Sequence, residues 1–193
     1  MFVNVNLAQP IYILGDGVVA LEYQQYLLNE SINTQLVSHN DFLSLPAKSQ
    51  CMLGFHNIDY KRRWVSELSH LNLNWLTYIH PTAIVLGKVG AGSCIGAFVH
   101  IGYNASCGQF TTACEHSVIG HDTNIGSYCF LGAGTVLGGG SQVGSNVYFG
   151  IRNAVRDKIL ITDNCFFAIG TTVRKNVINS GKYYGRGISL QKF

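Results

Sequence analysis

A stride of six residues rules this chain from Val89 to Val173. It lands on Val89, Ile95, Ile101, Cys107, Ala113, Ile119, Ile125, Leu131, Leu137, Val143, Phe149, Val155, Ile161, Phe167 and Val173, all apolar or small, with no insertion to break the count. Four residues past these stops runs a second register of mostly small or β-branched residues: Ser93, Val99, Ala105, Thr111, Ser117, Thr123, Cys129, Thr135, Ser141, Val147, Asn153, Ile159, Cys165 and Thr171. The residue directly after a stop is often glycine, as at Gly96, Gly102, Gly120, Gly126, Gly132, Gly138 and Gly144.

A period of six fits neither the 3.6-residue turn of a helix nor the alternation of a strand. It is the period of a hexapeptide β-helix, in which each repeat supplies a short strand and a turn and three repeats close one triangular coil. The apolar stops then point into a prism, and the second register lets the chain turn without crowding the axis. The glycines are expected to supply backbone angles that a side chain forbids. One coil cannot bury its own apolar face, so stability accumulates by stacking.

Composition narrows the classes of function. Hydrophobic residues make up 47% and charged residues 12%, which describes a core-rich globular chain and not a disordered one. The formal charge is only +3 and the longest basic run is Lys61-Arg62-Arg63, so no nucleic-acid footprint is present. No long apolar run and no ordered leader at the N-terminus suggest a membrane span or a secretory signal. The six cysteines form no CxxC pair, and Cys107, Cys129 and Cys165 fall on inward registers. They read as small core residues of a protein in a reducing cytoplasm.

The first eighty residues follow a different rule. Ile11-Tyr12-Ile13-Leu14 is a short apolar strand, Gly15-Asp16-Gly17 a turn, and Ala20, Leu21, Tyr23, Tyr26, Leu27 and Leu28 a helical pattern. Further strands are expected at Thr34 to Val37 and Cys51 to Leu53, and a helix at Tyr60 to Leu71. Strand, glycine turn and helix open a small Rossmann-like α/β domain, whose helix start can receive a phosphate. The glycine fingerprint is incomplete, because its third position holds Ala20. Strand ends at Gly15–Gly17, His39–Asp41 and Gly54–Asn57 would share one carboxyl edge, where such sheets bind ligands. A cap over the first coil of the β-helix is the other reading of this block, and both roles can hold together.

The motif with chemical promise is Ile119-Gly120-His121-Asp122, with Leu137-Gly138-Gly139-Gly140 one coil on. Together with the strand–GxG–helix start and Ile79-His80-Pro81-Thr82-Ala83, it resembles the bacterial sugar O/N-acyltransferase family over nearly the whole chain. The family includes sialic acid O-acetyltransferases and N-acetyltransferases of UDP-4-amino-sugars. The resemblance implies a left-handed parallel β-helix with acetyl-CoA as co-substrate, no metal, and a homotrimer with active sites between protomers. It also implies a nucleotide-linked amino-deoxy-sugar, carried on UDP or dTDP, as acceptor for surface glycan or lipopolysaccharide assembly, and no nucleic-acid partner. By this likeness residues 1–78 form the nucleotide-sugar-binding domain, 79–175 the acyltransferase domain and 176–193 a C-terminal tail.

Carried over residue by residue, the resemblance makes His121 the general base and Asp122 the acid that raises its basicity. An ordinary imidazole titrates near neutrality, which suits that task. Gly150, Ile151, Ile169 and Gly170 match stretches lining the acetyl-CoA groove. Gly15, Gly17, Val18, Val19, Asn40, Asp41 and Gly54 match the nucleotide pocket. Arg152, Arg156, Arg174 and Lys175 are candidates for the CoA phosphates or ordinary solvated cations. Two departures stand out. Phe130 replaces a second histidine of the family, near acetyl-CoA or substrate, and Tyr184-Gly185-Arg186-Gly187 is only a relic of a C-terminal Gly-x-Pro-Ala turn. O-acetylation of sialic acid is an open alternative. A remoter one is a zinc site from His80, His116 and His121, whose spacing is similar to that of gamma-class carbonic anhydrases. A non-catalytic scaffold is a third class.

Overall fold

The structure, a computed structural model, describes residues 2–3 and 5–185. The chain divides into two compact units, Met1–Tyr78 and Ile79–Phe193.

In the first unit four parallel strands lie in the order Thr34–Val37, Ile11–Leu14, Gln50–Leu53, Asn74–Trp75. Ile11, Ile13 and Leu14 are fully buried because this strand has a neighbour on both sides and α1 (Val18–Asn29) follows it. Strand order therefore reverses at the end of Ile11–Leu14, which opens a crevice beyond that strand. The strand Asn74–Trp75 was not expected; two residues are too few to show a period. The second helix, α2 (Ile58–Glu67), starts two residues earlier than expected, because the Asn57 side chain accepts the N–H of Tyr60 at 2.8 Å and caps it. It also stops sooner: a 3₁₀ turn at Ser69–Leu71 ends on Asn72 in the left-handed region, φ 49°.

The second unit is a parallel β-solenoid of about six coils. Its first face holds Cys94–Ile95, Thr112–Ala113, Phe130–Leu131, Tyr148–Phe149, Cys165–Phe167 and Gly181–Tyr183. Its second holds Ile84–Val85, His100–Ile101, Val118–Ile119, Val136–Leu137, Ala154–Val155 and Thr172–Val173. Its third holds Lys88–Val89, Ser106–Cys107, Asn124–Ile125, Gln142–Val143 and Leu160–Ile161. Pairing registers set residues eighteen apart side by side, as Val118 with Val136. Apolar stops from Ile95 to Val173 are buried along the axis, each contributing about 1.5–3 kcal/mol when a large aliphatic is withdrawn from water.

The second register is buried as well, although more than half of it is polar. Its hydroxyls are satisfied along the stack: Ser93 donates to the Gly108 carbonyl, Thr111 to Gly126, Thr123 to Gly138, Thr135 to Gly150 and Ser141 to Arg156. A small hydroxyl thus turns the corner and bonds the next coil at once.

The glycines after the stops have a different purpose from the one expected. None of Gly96, Gly102 or Gly120 has a positive φ. They are needed for close stacking, since a β-carbon at Gly102 would come 2.6 Å from the His121 nitrogen. The left-handed angles fall two residues later, on side-chain-bearing positions such as Asn104, His116, Asp122 and Tyr128. His116, Asp122 and Tyr128 are held there by their N–H groups, which donate to Ala97, Tyr103 and Gln109 one coil earlier.

Strand pairing continues past Lys175. Gly181–Tyr183 lies parallel to Cys165–Phe167, and the Gly185 N–H donates to Thr171 Oγ1 at 3.0 Å. Of the expected relic turn, Tyr184 and Gly185 are described, and Arg186 and Gly187 lie outside the described residues.

Candidate active site

His121 and Asp122 occupy the corner between the second-face strand Val118–Ile119 and the third-face strand Asn124–Ile125. The left-handed angle at Asp122, φ 58°, folds its carboxylate back beside the preceding imidazole. Asp122 Oδ2 lies 2.8 Å from His121 Nδ1, and Oδ1 accepts the Asn104 side-chain amide at 2.8 Å from one coil earlier. Hydrogen bonds from His121 first and Asn104 second hold the Asp122 carboxyl below its ordinary range. An ionised carboxylate can only accept, so in the neutral ring Nδ1 carries the proton and Nε2 the lone pair.

That lone pair lies over residue 139. A β-carbon there would come 2.7 Å from His121 Nε2, so glycine alone leaves the ring its place. Among the described residues the Gly139 N–H donates to no protein acceptor. Both side chains face solvent, 72% exposed for His121 and 51% for Asp122. A base with an oriented lone pair therefore stands in the open beside an unused backbone donor, an arrangement suited to general base catalysis.

Asn104 was absent from the sequence reading, and Gly139 entered it only as part of a glycine run. Counting eighteen residues back from Asp122 and forward from His121 finds both, because that is one coil.

In the first unit, Gly15, Gly17, Val18, Val19 and Gly54 line one cavity of about 320 Å³ with Asp16, His39, Phe42, Phe55, His56, Asn57 and Tyr60. Asn40 and Asp41 share the 3₁₀ turn His39–Ser44 but are exposed and not on its wall; Asp41 instead accepts the Ser38 hydroxyl at 2.7 Å. No side chain caps the start of α1 at Gly17, so its first N–H groups face this crevice unengaged by a cap. A β-carbon at Gly54 would meet that of Ala20 at 2.5 Å, so these two small residues let helix and strand approach closely. Burial, and secondarily the Lys61 charge, push the His56 imidazole down to about 4. The ring is thus neutral on the cavity wall, 3.2 Å from the Tyr23 hydroxyl.

The candidate acetyl-CoA residues separate. Gly150, Ile151, Ile169 and Gly170 gather at the corner between the first and second faces, where both isoleucines are exposed. Phe130 lies on the first face, only 8% exposed and stacked 4.9 Å from Tyr148. The three histidines of the zinc alternative have separate engagements within the chain. His80 bonds Thr82, His116 stacks on Phe98 and His121 bonds Asp122. Among the described residues no group of three His, Cys, Asp or Glu comes together. No described helix is long and apolar enough to cross a membrane.

An α/β unit followed by a parallel solenoid is an architecture shared with solved acetyltransferases. No family model matches the chain, and no curated protein matches it. Among solved structures, PerB from Caulobacter crescentus, in complex with CoA and GDP-perosamine, superposes with a TM-score of 0.82 at 19% identity, over 91% of this chain and 94% of that one. The acetyltransferase domain of PglB from Neisseria gonorrhoeae, in complex with acetyl coenzyme A, gives 0.83 at 14% identity, over 92% and 96%. WeeI from Acinetobacter baumannii gives 0.65 at 18% identity, over 88% and 93%. At these identities the likeness establishes a common fold.

Proposed function

We propose that this protein transfers the acetyl group of acetyl-CoA to an amino group of a nucleotide-linked amino-deoxy-sugar destined for surface glycans. The observation that carries this reading is the chain Asn104–Asp122–His121, ending in a lone pair over Gly139. Its fold is that of solved proteins complexed with CoA and GDP-perosamine.

In the reaction, His121 Nε2 takes a proton from the attacking amine as its nitrogen bonds the thioester carbon. Asp122 stabilises the imidazolium that forms. The acyl oxygen gains negative charge, and the Gly139 N–H is the donor assigned to receive it. Collapse breaks the carbon–sulfur bond, and the imidazolium returns its proton to the departing thiolate. The products are an N-acetyl sugar and the free thiol of CoA. An amine needs no activation beyond deprotonation, so His121 suffices as base.

The Rossmann-like reading of the first unit makes its cavity the nucleotide site, with the uncapped start of α1 toward a phosphate. UDP or dTDP is the expected carrier, and GDP joins them because PerB holds GDP-perosamine. Gly150, Ile151, Ile169 and Gly170 remain the proposed acetyl-CoA contacts. Phe130, packed into an aromatic column, would act through shape and not through a proton. Free and mostly buried cysteines suit a cytoplasmic enzyme.

A homotrimer of left-handed β-helices accounts for the unequal outer faces. Ile84 and Val136 on the second face are 57% and 42% exposed, flanked by half-buried Val118 and His100. The third face carries a solvated ladder, Ser106 to Asn124 to Gln142. Apolar surface of the first kind favours a partner copy.

The test is thiol release from acetyl-CoA with 4-amino- and 3-amino-sugars on GDP, UDP and dTDP, and with CMP-sialic acid. Release with an amino-sugar is expected. Release with CMP-sialic acid alone would turn the reading to O-acetylation, and no release with any acceptor would sink it. Light scattering should show a trimer that Val136→Asp dissociates; a wild-type monomer would overturn the assembly.

A further inference from the structure

Two corners of the prism are made from the same six-residue turn and treat their backbone differently. Between the third and first faces, the second residue past the stops Ile125, Val143 and Ile161 caps the coil before it. Ser127 Oγ accepts the Gln109 N–H at 3.1 Å, Ser145 Oγ the Ser127 N–H at 3.1 Å, and Asp163 Oδ1 the Ser145 N–H at 2.7 Å. At the His121 corner the equivalent positions are Tyr103, His121, Gly139 and Asp157. Among the described residues the N–H groups of Tyr103, His121 and Gly139 donate to no protein acceptor.

Asp157 stands to Gly139 as Asp163 stands to Ser145. Each aspartate follows an inward residue, Val155 or Ile161, by two places and lies one coil beyond the amide in question. Their carboxylates take opposite courses. The nearest atom to a β-carbon placed at Gly144 would be Asp163 Oδ1, whereas at Gly138 the nearest atoms would be backbone of residues 156 and 157. Asp157 is turned outward, with Oδ1 4.0 Å from Arg156 Nε and both side chains largely in solvent.

We propose that Asp157 is a competitor set beside the site: its carboxylate can rotate onto the Gly139 N–H, and Arg156 draws it off, keeping that donor open for the acyl oxygen. This rests on the reading of His121 and Gly139 given above. A carboxylate takes a backbone N–H strongly. Seated there, it would also repel the charge that develops on the acyl oxygen. Arg156 and Asp157 are positioning residues, since neither touches the reacting atoms. An exposed ion pair is a weak device, so it can shift this balance by no more than about fivefold.

The experiment compares wild type, Arg156→Ala, Asp157→Ala and the double variant in acetyl transfer and in hydrogen exchange at the Gly139 amide. Arg156→Ala is expected to lower kcat about three- to fivefold at unchanged KM for the sugar, and to slow exchange at Gly139. Adding Asp157→Ala is expected to restore both. Any contact of Arg156 with CoA phosphate shows instead in KM for acetyl-CoA, which the second substitution does not rescue. Unchanged exchange at Gly139 in Arg156→Ala, or a double variant as slow as the single, overturns the proposal. If wild type transfers no acetyl group, the functional reading fails, and the exchange measurement still decides the competition by itself.

Discussion

The inside of the solenoid and its corners obey different rules. Inside, coil after coil repeats one solution: an apolar stop, a mostly small or β-branched residue four places on and, from Ser93 to Ser141, hydroxyls bonded to the carbonyl fifteen residues ahead. At the corners the same turn carries serine and aspartate in one column and tyrosine, histidine, glycine and aspartate in the next. The inside must repeat, because a change in one coil leaves a void or a clash against two others. The corners need only the turn, so their side chains are available for chemistry. On the proposed function, stability and catalysis in this unit occupy separate registers and can be altered separately.

Substitutions in each register sharpen that separation. The largest effect is expected at the corner, where His121→Ala should lower turnover by about two to four orders of magnitude, the range of a general base. Its thermal midpoint should stay close to wild type, because the ring is exposed. A variant with unchanged kcat would end the assignment. Next comes the inside: Leu137→Ala, at a fully buried stop, should destabilise the fold by about 2–5 kcal/mol, read by denaturant unfolding. Little loss there would mean that the stops do not carry the stability.

Gly139→Ala tests the boundary between the two rules. The added methyl meets an exposed imidazole tip, which can move aside, so the fold should stand while the ring loses its place. A fall of about a hundredfold in kcat is expected, with unfolding little changed. Wild-type activity in this variant would show that the position of Nε2 over Gly139 does not matter.

The smallest effect is electrostatic. Asn104→Ala removes the second of the two donors that lower the Asp122 pKa. The folded-state value should therefore rise toward the ordinary carboxylate range, visible in a carboxyl-carbon NMR titration. A depressed carboxyl stabilises the folded state above its unfolded pKa and loses that contribution as pH falls through the folded value. The contribution should thus be smaller in the variant, and its loss complete at a higher pH than in wild type. An unmoved titration would remove Asn104 from the site.

How much of this was legible beforehand depended on distance along the chain. His121 and Asp122 are neighbours, and their pairing could be read directly. Asn104 could not, because its reach to Asp122 crosses a whole coil and exists only when coils stack. The residues proposed for a nucleotide site divided for a similar reason. Gly15, Gly17 and Gly54 follow adjacent strand ends and converge, whereas Asn40 and Asp41 wind away in a 3₁₀ turn that no periodicity announces. The role of the glycines was misread because a dihedral preference belongs to one residue, while the demand that excludes a β-carbon at Gly102 comes from His121, in the next coil.

Alone, the order of residues determined the solenoid, its inward registers and the strand–turn–helix start. Each of these is written in spacings of a few residues, and burial enforces them locally. Only the folded molecule decided which nitrogen of His121 keeps its lone pair, that glycine at 139 makes room for it, and which backbone donors stay unspent. Those are contacts between coils, made by residues that share a corner without sharing a stretch of chain. No local preference encodes them, because their energy exists only once the coils have stacked.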